Sequence, residues 1–98
     1  KVDSRSEDGF TALHIATHVG NVELMKFLLA EGAEVNARTE DGTTPLMTAA
    51  MEGKLAAASF LLANKADPNL KDDLDQTALS LAIEKKFPQV ADLLRSRP

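Results

Sequence analysis

His14 and His18 stand four residues apart, the spacing that sets two imidazoles on one face of a helix. Such a pair begins a metal site when a third donor lies near, and Glu52 or Glu84 could supply one from a neighbouring helix. No other constellation suggests chemistry. Ser4, Ser6, Ser59, Ser80 and Ser96 lie in no nucleophile elbow, and no glycine-rich loop suits a phosphate. Acid–base catalysis needs two carboxylates in a dry concavity with separated pKa values. Here Glu7, Asp8, Glu40, Asp41, Asp72, Asp73 and Asp75 fall in turn-like segments, where a solvated acid is the ordinary reading. The chain is read as no enzyme, with no cofactor and no metal.

Bulk properties narrow the choice further. With 98 residues, 44% hydrophobic and 27% charged, the chain suits one ordinary folded domain. Its only aromatics are four Phe, so Leu and Ala must fill the core. A net charge of −4 argues against nonspecific binding to nucleic acid or to an anionic membrane. No apolar run reaches the roughly 18 residues a bilayer span needs, so no membrane insertion is expected. The absence of Cys fits a reducing compartment, and the expected location is intracellular, cytoplasmic or nuclear.

The elements that must position any functional residue follow from a period. Shifted by 33 residues, Val2, Glu7, Asp8 and Gly9 fall on Val35, Glu40, Asp41 and Gly42. Thr11, Leu13, Ala16 and Gly20 fall on Thr44, Leu46, Ala49 and Gly53, and a second shift carries Thr44, Leu46, Ala49 and Leu61 onto Thr77, Leu79, Ala82 and Leu94. A fixed period of this length means one supersecondary unit used repeatedly, each copy unable to bury its apolar face alone.

Each period opens with turn chemistry, Glu7-Asp8-Gly9 and Glu40-Asp41-Gly42. Thr11, Thr44 and Thr77 then stand where an N-cap is wanted, and Pro45 suits a first helical position. A helix of about two turns ends at Gly20 and Gly53. A second helix is predicted over 22–30, 55–63 and 88–94, closed in the first copy by Gly32 as a left-handed residue.

The Asp41-to-Ala50 run with its Thr44-Pro45-Leu46, and the run from Leu28-Leu29 through Gly32-Ala33 to Val35-Asn36, resemble the ankyrin repeat. The resemblance implies an all-α solenoid of stacked helix-turn-helix units with short β-turn or hairpin fingers. It divides the single domain 1–98 into a remnant of a preceding repeat (1–5) and repeats at 6–38, 39–71 and 72–98. It also implies that His14 hydrogen-bonds within its turn and to the adjacent repeat rather than ligating metal.

Departures from the period carry the rest. Lys65 stands where Gly32 does, Asp75 where Gly9 and Gly42 do, and Lys86 where Gly20 and Gly53 do; Lys65 is expected to take a left-handed backbone. The last helix, with Gln89, Asp92, Arg95 and Arg97, reads as a polar C-terminal cap, and residues 1–5 read as cut from a longer array.

Phe10, Met51 and Leu74 are apolar at positions where the pattern expects exposure, their counterparts including Thr43 and Gln76, His18 and Glu84, and Asp8 and Asp41. By resemblance, turn tips and inner helices bind protein partners. Transferred to this chain, that surface is Glu7, Asp8, Phe10, His18, Val19, Glu40, Asp41, Thr43, Met51, Glu52, Asp73, Leu74, Gln76, Glu84 and Lys85, with Phe10 and Met51 as apolar anchors. The acids at the tips have two readings, local turn chemistry or a row that attracts a basic partner.

The function expected is a non-catalytic protein–protein interaction module, part of a larger scaffold, adaptor or regulator. Its partner would be a protein or peptide with basic residues flanking an apolar anchor, with no nucleic acid involved, and the chain itself would be a monomer. The alternative is a regulatory or targeting segment of a multidomain enzyme or ion channel.

Overall fold

The threonines predicted to cap helices do so in each copy. In the computed structural model, which describes residues 11–96, the helices are α1 (Ala12–Val19), α2 (Val22–Ala30), α3 (Pro45–Glu52), α4 (Leu55–Ala63), α5 (Ala78–Glu84) and α6 (Pro88–Arg95). The hydroxyls of Thr11, Thr44 and Thr77 accept from the backbone N–H of His14, Met47 and Ser80, satisfying donors that the first turn leaves free. Each of those three residues returns a bond from its side chain to the N–H of its own cap.

The ends of the first five helices obey one rule. Asn21, Ala33, Lys54, Ala66 and Phe87 each donate their N–H to a carbonyl five residues back, at 2.9–3.0 Å. The residue before each has a positive φ: Gly20, Gly32, Gly53, Lys65 and Lys86. Lys65 therefore takes the left-handed backbone expected of it (φ 74°), and Lys86 and Asp75 follow at 67° and 63°. The closing bonds impose the geometry whether or not the residue is glycine.

The helix pairs stack in chain order, α1 on α3 on α5 and α2 on α4 on α6. Leu13, Leu46, Leu61, Met25 and Val90 are fully buried between them, each burial stabilising by about 1.5–3 kcal/mol. Ala16, Ala49, Ala50, Ala57, Ala58 and Ala82 let the helices approach closely. Gly53 shows how closely: a Cβ there would stand 2.5 Å from the Phe87 ring.

Between the pairs run turns rather than hairpin ladders, and no strand forms among the described residues. The second turn is closed by the N–H of Thr39 on the Thr43 carbonyl at 3.0 Å, the third by the N–H of Asp72 on the Gln76 carbonyl at 3.0 Å. Thr39 and Asp72 are one period apart and play one part, each accepting the N–H four residues on, from Thr43 and Gln76. Neighbouring turns are stitched by the N–H of Asp73 on the Asp41 carbonyl (2.9 Å), the N–H of Asp67 on Asn36 Oδ1 (2.8 Å) and the Arg38 guanidinium on the Lys71 carbonyl. The result is an all-α repeat stack whose copies hold one another in register.

Candidate functional site

The imidazole of His14 is buried and held at both ring nitrogens. Thr11 offers its N–H to Nδ1 at 3.2 Å and its hydroxyl stands 2.9 Å away, while Nε2 lies 2.9 Å from the Thr43 carbonyl. A carbonyl only accepts, so Nε2 carries the proton and Nδ1 accepts. The ring thus bonds its own turn and the next repeat, as the resemblance implied, and offers no free donor to a metal. His18 lies at the helix surface, with Nδ1 3.6 Å from Glu52 Oε2. Among the described residues no group of three or more His, Cys, Asp or Glu is placed to hold an ion.

His18 and Glu52 instead line a hollow of about 380 Å³ between α1 and α3, together with His14, Ile15, Thr48 and Met51. Apolar surface dominates its wall, which suits an apolar side chain rather than a charged one. Beside it on α1, Val19 is 61% exposed; its counterparts are the charged Glu52 and Lys85.

Of the expected surface, His18, Val19, Glu40, Asp41, Glu52, Asp73, Leu74, Glu84 and Lys85 are exposed. Three residues differ from expectation. Thr43 is buried (8% exposed), its carbonyl receiving His14 and its hydroxyl donating to Asp41 at 3.1 Å, so its side chain is unavailable to a partner. Met51 is half-buried, packed on the core because the α1–α3 contact covers one side of it. Gln76 is half-buried, and its N–H bonds Asp72 within the turn. Glu7, Asp8 and Phe10 lie outside the described residues, as does Arg97 of the expected cap.

Leu74 is the most exposed large apolar residue described, at 77%. Its turn holds it outward: the Asp72 carboxylate accepts the N–H of Leu74 and of Gln76, both at 2.9 Å. In the preceding turn the Thr39 hydroxyl donates to the Asp41 carboxylate and, with that of Thr43, holds its pKa below the usual 3.8 despite slight desolvation.

Sequence reasoning missed Ile15, which is 57% exposed and lines the hollow. A signal existed, since Ile15 and Val19 are apolar at i and i+4 on a helix whose buried residues lie elsewhere. On the last helix pair Gln89, Asp92 and Arg95 are exposed and polar, Arg95 pairing with Asp92 at 3.1 Å, and Ile83 is half-exposed.

No helix among the described residues is long and apolar enough to cross a membrane. A family model for ankyrin repeats, in three copies, matches residues 13–97. No curated protein matches the chain.

Proposed function

The chain belongs to the ankyrin-repeat family, whose members generally bind other proteins and are typically non-catalytic, and from that premise we propose that it acts as an adaptor or scaffold module through the α1–α3 hollow. The hollow carries the reading: Ile15 and Met51 give it apolar lining and Glu52 a carboxylate, with Val19 exposed next to His18 on α1. Glu40, Asp41 and Asp73 of the turns and Glu84 of α5 are exposed as well and add negative charge to the surface. A segment with an apolar residue flanked by Lys or Arg answers both features, the apolar group supplying affinity and the cations orientation.

The experiment titrates the labelled chain with two peptides that share a central Leu or Phe, one flanked by Lys and Arg, the other by Glu. The basic peptide is expected to shift amide signals around Ile15, Met51 and Glu52. Glu52→Lys and Val19→Asp, both at exposed positions, weaken it by about tenfold or more without lowering the melting temperature. Met51→Ala is the poorer probe, because its packed side chain also stabilises the fold. Equal binding of both peptides, or of wild type and variants, removes the proposal.

A further inference from the structure

His18 is one of two histidines in the chain, and its place in the period is particular. Its counterparts are Met51 and Glu84, and those of Glu52 are Val19 and Lys85. The pair that His18 and Glu52 make between α1 and α3 thus corresponds to Met51 and Lys85 one period on. Histidine is the side chain whose charge ordinarily changes between about pH 5 and 8, so only the first junction carries a group of that kind at this place.

Among the described residues, few charges surround His18. Its own helix holds no Asp, Glu, Lys or Arg. Of the elements packed on α1, α3 and the turn after it bring Glu52, whose Oε2 lies 3.6 Å from Nδ1 of His18, and Lys54, whose side chain lies over Gly20. The other, α2, brings Glu23 and Lys26, which pair with each other at 4.0 Å. Within the lining of the α1–α3 hollow, Glu52 is the only carboxylate, and His18 is the group set against it. His14 lines the hollow too, but it is buried with both ring nitrogens engaged.

We propose that His18 makes the hollow's choice of partner depend on pH, an inference that rests on the hollow taking an apolar residue flanked by cations. With the imidazole neutral, the Glu52 carboxylate is available to a partner's Lys or Arg. A proton on the imidazole sets a positive charge 3.6 Å from Glu52 and offsets its field. A cationic flank then loses its attraction and meets a like charge, while an anionic flank gains a partner. The two side chains are 59% and 42% exposed, so their pairing adds little to the stability of the fold. The proton is felt in selectivity instead.

The test titrates the labelled 98-residue chain with the Lys/Arg-flanked and the Glu-flanked peptide at about pH 8 and about pH 5.5, at one low ionic strength. Both peptides keep their flanking charges across that window. The affinity for the basic peptide relative to the acidic one is expected to fall roughly fivefold or more at the lower pH, because the two affinities move in opposite directions. His18→Gln is expected to give one ratio at both pH values, and His18→Arg a low ratio at both. A wild-type ratio that stays constant overturns the inference and leaves the hollow reading standing. So does a ratio that still falls in His18→Gln, which would place the proton on another group. A basic peptide that moves no signal of Ile15, Met51 or Glu52 at about pH 8 removes the hollow reading itself, and this inference with it.

Discussion

The Nε2 of His14 lies 2.9 Å from the backbone carbonyl of Thr43, twenty-nine residues along the chain, and the bond crosses from one repeat to the next. One period on, Met47 occupies the same place and its sulfur receives only the N–H of its own cap, at 3.5 Å. The first junction thus has a side-chain tie through the helix start that the second lacks. Replacing His14 leaves the Thr43 carbonyl and the Thr11 N–H without that partner in a buried site. His14→Ala is expected to cost about 2–4 kcal/mol, read as the shift of the urea midpoint at constant slope. A loss under about 0.5 kcal/mol would show that the tie contributes little.

Lys65 holds φ 74° where the preceding copy has Gly32 at 98°. A side chain in the left-handed region costs about 1 kcal/mol, and Lys65 is exposed with no packing to lose. Lys65→Gly should therefore raise stability by roughly that amount, less the extra freedom glycine gains when unfolded. A lower unfolding midpoint would contradict it.

Gly53 combines a positive φ of 68° with the Phe87 ring 2.5 Å from any added Cβ. Gly53→Ala is expected to destabilise by about 2–4 kcal/mol through strain and forced movement of the ring. Part of that loss should disappear in a Phe87→Ala background, where the obstruction is gone. Strictly additive losses would place the penalty in the backbone alone.

The Asp41 carboxylate is held below its ordinary pKa chiefly by the Thr39 hydroxyl, with the Thr43 hydroxyl assisting. A group whose pKa falls on folding stabilises the fold above its unfolded value, here 3.8, and loses that contribution as pH drops through the lower folded value. Thr39→Val should move the Asp41 titration upward toward 3.8, followed by the carboxyl carbon shift in NMR. An unchanged titration would assign the effect to another group.

Much of this was legible in the residues. Thr11, Thr44 and Thr77 announce their helices because a hydroxyl before an apolar run has one good use there. The left-handed residue at 65 could be read from Gly32 alone, because the closing hydrogen bonds are the same in both copies. Leu74 could be placed at an exposed tip, since its counterparts Asp8 and Asp41 belong in turns.

Burial on the faces between repeats was not legible, and Thr43, Met51 and Ile15 show why. The period assigns each residue its face of a helix, but not whether a neighbouring pair covers that face. Ile15 and Leu81 occupy one position in their helices, and one is exposed while the other is buried. The sequence by itself determined the repeat, its caps and its helix ends, because those depend on bonds within some five residues. Only the tertiary structure decided which surfaces are free, because accessibility depends on what is stacked above and below.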